Sequence, residues 1–113
     1  MNKILPLEIS ASEVKEKLEA NHPVALIDVR EHSEHAICRI EGAELIPMRM
    51  IPQHLPLLKD RAGQFRLVFY CHHGVRSLQV VNWLRRQGIS ACQSLSGGIE
   101  RWSLEIDPEV PRY

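Results

Sequence analysis

The sequence predicts an α/β fold built around a mostly parallel sheet, and three observations support this class. Residues 24–27 and residues 67–70 are apolar runs without alternation, as is typical of strands buried on both faces of a sheet. Segments with apolar residues at helical spacing separate the strand candidates. Both runs lead directly into chemically reactive or polar residues, and open α/β sheets bind ligands just beyond the carboxyl ends of their strands. Strands that alternate with helices specify a parallel sheet.

A capping box marks the beginning of the first helix. Ser10 is in the N-cap position and Glu13 lies three residues later, so each side chain can satisfy a free backbone N–H group at the start of the helix. We expect this helix to run to about Ala20 and to place Val14 and Leu18 toward the core.

The other elements follow from apolar spacing and turn residues. The segment 48–58 has helical spacing, but Pro52 and Pro56 favour one or two short turns over one regular helix. Its methionines are expected in the core, and residues 60–63 are interpreted as a polar turn. Further strands are predicted within residues 7–9, 40–47 and 89–95, further helices at residues 31–37, 77–87 and 99–102, and an extended surface tail at residues 104–113.

Length and composition narrow the class of protein. The 113 residues are enough for one core, so residues 1–113 are expected to form a single domain. The 14 Lys and Arg residues balance the 14 Asp and Glu residues, which argues against nucleic-acid and anionic-membrane partners. The N-terminus does not resemble a signal peptide, and no apolar run is long enough to span a bilayer. The three irregularly spaced cysteines suit a reducing compartment, so a cytoplasmic location is expected.

The segment from Cys71 to Ser77 joins a buried strand to a helix and contains a cysteine, a glycine and an arginine. A short loop that runs into a helix N-terminus turns backbone N–H groups inward and forms an anion site. These amides, the helix dipole and Arg76 are expected to favour the thiolate form of Cys71, which is a nucleophile for sulfur or phosphorus electrophiles. The alternative is a buried structural cysteine. The position of Cys71 at the carboxyl end of a strand favours catalysis.

Asp28 and Arg30 follow the other buried strand and allow two interpretations. They line a pocket, or Asp28 caps the next turn while Arg30 forms a structural ion pair. We favour the second interpretation, because acidic residues at such strand ends often act as caps.

Four landmarks of the sequence resemble the rhodanese family, in order and in spacing, over nearly the whole chain. They are Asp28-Val29-Arg30 after a buried strand, Ile40-x-Gly42-Ala43 followed by Ile46-Pro47, Cys71-x-x-Gly74-x-Arg76-Ser77, and Leu95-x-Gly97-Gly98 followed by Trp102. The resemblance implies a rhodanese-like three-layer α/β fold, with a mostly parallel five-stranded sheet flanked by helices on both faces.

The same resemblance implies a sulfurtransferase that moves sulfane sulfur through a persulfide on Cys71. The implied donor is a small molecule such as thiosulfate or a persulfide, and the implied acceptor is a thiol or cyanide, with a protein acceptor as the alternative. The loop amides cradle the anionic donor and Arg76 adds positive charge. The residues expected to bind substrate are His72, His73, Gly74, Val75 and Arg76. Such covalent catalysis needs neither a metal nor an organic cofactor.

The roles of His72 and His73 stay open at this point. They either contact an anionic substrate or are simply polar loop residues, and sulfur transfer from a thiolate gives them no role as a strong base. Zinc is rejected as a ligand of Cys71 and these histidines, because adjacent residues rarely converge on one ion and no second pair with zinc-binding spacing accompanies them.

One departure from the family pattern concerns Cys38 and Arg39, which stand where the family usually has Gly-His. Arg39 either enriches the positive potential near the catalytic layer or has no such role. Cys38 either reaches Cys71 as a resolving thiol or is an inert buried residue, which we favour. Cys92 lies within a predicted strand and is expected in the core.

Two other functions compete with a small-molecule sulfurtransferase. Phosphatases and arsenate reductases of the related fold have one residue more between cysteine and arginine than the four found here, so the shorter loop fits a sulfane sulfur better than a phosphate ester. The other alternative is a carrier that exchanges persulfide only with a partner protein. Poor turnover of thiosulfate with fast transfer to a protein thiol would distinguish that carrier.

Overall fold

The computed structural model describes residues 5–113 and contains a five-stranded, wholly parallel sheet with the strand order β1-β5-β4-β2-β3. The strands are β1 (Glu8–Ile9), β2 (Val24–Asp28), β3 (Glu44–Leu45), β4 (Arg66–Tyr70) and β5 (Cys92–Leu95). The α-helices are α1 (Ala11–Glu19), α2 (His32–Ile37), α3 (Leu55–Ala62), α4 (Val75–Arg86) and α5 (Gly98–Glu105), and two 3₁₀ turns cover Met48–Met50 and Pro52–His54. No helix in this part of the chain has the length and apolarity needed to cross a membrane.

Two apolar cores lie on the two faces of the sheet. Successive side chains of the central strand β4 alternate between them, as the pleat of a strand requires. Phe69 belongs to one core, with residues of α3 and α4, and Tyr70 belongs to the other, with residues of α1 and α5. Helices therefore cover both faces, and the three-layer α/β arrangement with a five-stranded sheet, expected from the resemblance, is confirmed.

Helix α1 begins where the capping box predicts, but only one of its two expected core residues is buried. The Ser10 side chain accepts a hydrogen bond from the backbone N–H of Glu13 at 3.2 Å, and α1 begins at the next residue. Val14 is fully buried, as expected. The prediction for Leu18 was wrong, because it lies in the last turn of α1 with 37% of its surface exposed.

The polar turn predicted at residues 60–63 was wrong, because residues 60–62 form the last turn of α3. Pro56 stands in the first turn of that helix, where a missing N–H group breaks no intrahelical hydrogen bond. Proline therefore helps to begin this helix instead of interrupting it. The two 3₁₀ turns before it match the predicted short turns, and Met48 and Met50 pack partly buried against the core, as expected.

Three further boundaries differ from the sequence-based expectation. α4 begins at Val75 instead of Ser77, because Gly74 already provides its N-cap. β5 is limited to Cys92–Leu95, where it pairs with β4 and β1. α5 continues to Glu105, so the tail begins after the helix and not at residue 104.

The parallel order brings the ends of β2, β4 and β5 together at one edge of the sheet. Asp28 is paired in register with Tyr70, and Phe69 with Ser94. The residues that follow these strands therefore meet at this edge, and Cys71 is among them.

Candidate active site

Cys71 lies immediately after β4, and its sulfur accepts hydrogen bonds from backbone amides of the loop. The N–H of Gly74 donates to Cys71 Sγ at 3.1 Å, and the N–H of Ser77 donates at 3.4 Å. Gly74 has a φ of +102°, and a Cβ there would stand 3.3 Å from the backbone nitrogen of Gly97. Glycine is thus required both by the backbone conformation and by the close approach of the neighbouring turn.

Two buried hydroxyl groups lie beneath the sulfur. Ser77 Oγ is 3.5 Å from Cys71 Sγ and 2.7 Å from Ser94 Oγ on β5. Ser77 and Ser94 have no exposed surface, and Cys71 is 1% exposed. The nucleophile candidate is therefore buried among backbone amides and hydroxyl groups that can donate hydrogen bonds to its sulfur.

The beginning of α5 fixes the other side of the loop. The N–H groups of Ile99 and Glu100 donate to the carbonyl oxygens of Cys71 and His72, at 2.9 and 3.1 Å. A Cβ at Gly98 would stand 2.5 Å from the Cys71 oxygen, so only glycine permits this contact. The Gly97-Gly98 landmark thereby positions the loop that carries Cys71.

Arg76 is paired with a carboxylate of α2. Its Nη1 and Nη2 donate to Glu34 Oε1 and Oε2 at 2.8 and 2.9 Å. The hydrogen bonds from Arg76 lower the pKa of Glu34 to about 2, and those to Glu34 raise the pKa of Arg76. The positive charge expected at the loop is present, but a negative charge compensates it.

Asp28 and Arg30 form a fully buried ion pair. Asp28 Oδ1 accepts from the backbone N–H and Nε of Arg30 at 3.0 and 2.9 Å, and Oδ2 accepts from Nη2 at 2.7 Å. His35 Nδ1 lies 2.9 Å from the same Oδ2. The interpretation of these two residues as a turn cap and a structural ion pair is confirmed.

His72 is stacked between two other rings. Its ring centroid lies 3.9 Å from those of His73 and Tyr113, with an interplanar angle of 8° to Tyr113. Burial, and then the neighbouring His73, lowers the pKa of His72. The Tyr113 hydroxyl accepts from Arg30 Nη1 at 2.8 Å and donates to Glu34 Oε2 at 2.7 Å, and burial raises its pKa to about 12.

The predicted binding residues therefore differ in their placement. Gly74 touches the Cys71 sulfur through its amide, whereas Arg76 turns to Glu34. His73 is exposed, and the side chain of Val75 is 68% exposed. Val75 belongs to the site only through its position in the first turn of α4.

The other cysteines lie apart from the loop that carries Cys71, although Cys38 contacts Arg30, whose Nη1 donates to the Cys38 sulfur at 3.8 Å. Cys38 is buried in the core that contains Tyr70, whereas Cys71 and Cys92 belong to the core on the opposite face of the sheet. This placement favours an inert Cys38 over a resolving thiol, and it confirms Cys92 as a core residue. Arg39 extends to the His35 carbonyl oxygen at the surface. Within residues 5–113, no group of three or more His, Cys, Asp or Glu side chains is arranged to hold a metal ion.

The sequence interpretation missed three residues of the site. Ser94, Glu34 and Tyr113 come from β5, α2 and the C-terminal tail, respectively. Glu34 carries a local signal, since its side chain and that of Glu31 form a capping box at α2, but that signal explains the helix and not the contact with Arg76. Ser94 and Tyr113 carry no local signal, because their partners are distant in sequence.

Comparison with known proteins identifies the family. The model of the Rhodanese-like domain family matches residues 10–105. The "Putative sulfurtransferase YtwF" of Bacillus subtilis (strain 168) is 39% identical over 102 residues, which are 90% of this chain and 95% of that protein. The crystal structure of SSP1007 from Staphylococcus saprophyticus has 33% sequence identity and a TM-score of 0.78, and the match covers 95% of this chain and 100% of that one.

Other relatives are much longer than this chain. The "Rhodanese-like/PpiC domain-containing protein 12, chloroplastic" of Arabidopsis thaliana is 37% identical over 89 residues. These residues are 78% of this chain but only 30% of that protein. The chain thus spans less than a third of the length of such multidomain relatives.

Proposed function

The chain belongs to the family of rhodanese-like sulfurtransferase domains, and we propose that it transfers sulfane sulfur through a persulfide on Cys71. The observation that carries this proposal is the pair of backbone amides, from Gly74 and Ser77, that donate to Cys71 Sγ. Amides aimed at one sulfur atom stabilise the thiolate that attacks and the charge that develops during transfer.

The first step loads sulfur onto Cys71. The Cys71 thiolate attacks the outer sulfur of a donor such as thiosulfate, and a new S–S bond forms as the S–S bond of the donor breaks. The electron pair of the broken bond leaves with sulfite, and Cys71 becomes a persulfide.

The second step returns Cys71 to its starting form. A thiolate or cyanide attacks the outer sulfur of the persulfide, and Cys71 leaves as a thiolate. The loop amides donate hydrogen bonds to the negatively charged sulfur of Cys71 in both steps. Because the attacking groups are already ionised, neither step requires a strong base. His72, with its lowered pKa, and His73 are proposed to contact substrate and not to transfer protons.

Intact-mass spectrometry tests this proposal directly. The protein is incubated with thiosulfate or with cysteine persulfide, desalted and weighed. We expect a gain of about 32 Da, the mass of one sulfur, in the wild type, and we expect cyanide to remove it. Cys71→Ser should gain nothing, and Cys38→Ser, which changes another buried cysteine, should load like the wild type.

Each other outcome has a defined meaning. A gain that persists in Cys71→Ser would move the chemistry to another cysteine and contradict the site. Loading by cysteine persulfide together with transfer only to a protein thiol would indicate the partner-dependent carrier. If neither donor adds mass to the wild type, the sulfurtransferase proposal fails, and phosphate esters and arsenate become the substrates to test.

A further inference from the structure

The charge of the loop arginine is neutralised by a carboxylate from another element. Arg76 makes two parallel hydrogen bonds to Glu34, the geometry in which guanidinium and carboxylate bind most strongly. The Glu34 side chain is only 19% exposed and that of Arg76 is 37% exposed, so water screens this pair only partly. An anion that approaches Cys71 therefore meets a compensated ion pair instead of a free cation.

Glu34 is also fixed by groups other than Arg76. The Tyr113 hydroxyl donates to Oε2 at 2.7 Å, and the backbone N–H of Glu31 donates to Oε1 at 3.1 Å. The same tyrosine hydroxyl accepts from Arg30, which is itself paired with Asp28. With donors on both oxygens, the carboxylate is held in one orientation and stays ionised at neutral pH.

Two further arginines, in α5 and in the tail, are paired with carboxylates as well. Arg112 in the tail binds Glu100, and Arg101 on α5 lies 3.6 Å from Glu105. The backbone dipoles of the loop and of the α4 N-terminus also attract an anion to the sulfur. The attraction from these dipoles falls off within the first turn of the helix.

We propose that Glu34 is a specificity-determining residue that favours loading of Cys71 by the persulfide group of a thiol over loading by the thiosulfate dianion. This inference rests on the proposed sulfur transfer through Cys71. Glu34 acts through Arg76: its negative charge cancels the attraction that an unpaired arginine would offer to a doubly charged donor.

The favoured loading step balances without a further reactant. The Cys71 thiolate attacks the outer sulfur of R–S–SH, the new S–S bond forms, and the S–S bond of the donor breaks. The electron pair leaves on the inner sulfur as R–S⁻, and the proton stays on the sulfur that is transferred, which gives Cys71–S–SH. The attacked group carries no net charge in this form, whereas thiosulfate brings two negative charges to a thiolate.

Single-turnover loading of wild type and Glu34→Gln with two donors tests the inference. Glutamine keeps the shape of the side chain and removes the charge. Its single amide oxygen can accept from only one of Glu31 and Tyr113, which donate to different oxygens of Glu34. For thiosulfate we expect the second-order loading rate constant to rise about tenfold or more in Glu34→Gln, as a unit charge near a dianion implies. For cysteine persulfide we expect a change of less than about threefold, since the reacting group carries less charge.

Glu44→Gln is the matched control. Glu44 on the edge strand β3 also forms a two-point pair with an arginine, Arg61 of α3, and its substitution changes the net charge equally. We expect both donors to load Glu44→Gln at the wild-type rates. Equal rates of thiosulfate loading in Glu34→Gln and wild type, or an equal rise with both donors, would overturn the inference while leaving the sulfurtransferase proposal intact. Failure of both donors to load the wild type would instead reject the proposed function itself.

The salt dependence of the wild type provides a test that needs no variant. Salt screens exposed charges over about 10 Å at 0.1 M ionic strength, so a free cationic site loses attraction for thiosulfate as salt is added. With Arg76 neutralised, we expect the thiosulfate loading rate to stay constant or to rise between about 0.02 and 0.5 M salt. A steep fall over this range would show an unpaired cation at the site and contradict the role of Glu34.

Discussion

At the scale of single residues, the Cys71 sulfur lies at the end of a chain of two buried hydroxyl groups. Ser94 Oγ and Ser77 Oγ are 2.7 Å apart, and Ser77 Oγ is within reach of both Cys71 Sγ and the Gly74 carbonyl oxygen, at 3.5 and 3.3 Å. If Ser94 donates to Ser77, the proton of Ser77 is free for one of these two acceptors. If Cys71 is ionised, its sulfur is the stronger of the two acceptors, and we predict that Ser94 then orients the Ser77 hydroxyl toward it.

The substitution Ser94→Ala tests this orientation. We expect the rate of sulfur loading on Cys71 to fall about three- to tenfold, because the loss of one net hydrogen bond is worth about 1 kcal/mol. Single-turnover loading with cysteine persulfide measures the effect. Ser90→Ala, at an exposed serine just before β5, should load at the wild-type rate. If Ser94→Ala melts at a lower temperature but loads at an unchanged rate, Ser94 contributes packing alone.

At the scale of elements, the loop depends on the helix that follows the last strand. α5 begins with Gly98, whose φ is +61°, and the amides just after it bind the carbonyl oxygens of Cys71 and His72. These contacts join α5 to the end of β4 through the backbone alone. Gly98 of the sequence landmark is therefore explained by a backbone-to-backbone approach that any side chain would prevent. Gly97 has a φ of +77°, and a Cβ there would stand 2.7 Å from the Arg101 side chain.

Gly98→Ala is expected to separate these two elements. The added methyl group meets the Cys71 and His72 backbone atoms, so we expect a loss of about 2 kcal/mol or more in the free energy of unfolding, together with slower sulfur loading. Urea unfolding and single-turnover loading measure the two effects.

Gly42→Ala is the control for the backbone strain. Gly42 also has a positive φ, of +84°, but a Cβ there meets no atom within 4 Å. Its substitution should cost about 1–2 kcal/mol and leave the loading rate of the folded protein unchanged. Equal effects of the two substitutions on stability and loading would show that conformation, and not the contact with the Cys71 loop, explains Gly98.

At the scale of the whole molecule, one network of ionised and polar groups joins parts that are distant in sequence. Glu34 of α2 binds Arg76 of α4 and the hydroxyl of Tyr113 in the tail, and that hydroxyl accepts from Arg30. The stacking of Tyr113 on His72 ties the tail to the loop that carries Cys71. The ionised Glu34 therefore contributes to the stability of the fold and also holds Arg76 and the tail in position beside the Cys71 loop.

The free energy of unfolding should depend on pH through the ionisation of Glu34. Its pKa is lowered from 4.5 to about 2 in the folded protein, so the folded state binds fewer protons than the unfolded state between these values. The stabilisation is therefore fully present above about pH 5 and is lost as the pH falls toward 2. At pH 7 we expect wild type to exceed Glu34→Gln by up to about 1 kcal/mol, since Arg76 remains partly exposed.

Urea unfolding of the two proteins at a series of pH values measures this difference. The gap between wild type and Glu34→Gln should narrow as the pH falls from about 5 to about 2. A gap that stays constant over this interval would show that the glutamine acts through packing and not through the lost charge.

The local structure was largely determined by the sequence itself. Neighbouring residues decide where helices and strands begin, and the clearest signals in this chain are of that kind. They are the capping box at Ser10, the strands that are apolar on both faces, and the loop from Cys71 to Ser77. Pro56 was misread because proline interrupts a helix interior but is accepted in a first turn, and the sequence alone did not show in which turn it would lie.

Only the tertiary structure decided the electrostatics of the site. Arg76 meets Glu34 across 42 residues of sequence, and Glu34 meets Tyr113 across 79. Such contacts depend on how α2, α4 and the tail pack at one edge of the sheet, and no local pattern encodes that packing. The sequence therefore determined that a cysteine would stand in a cradle of amides, and the assembled fold determined that the arginine beside it would be neutralised.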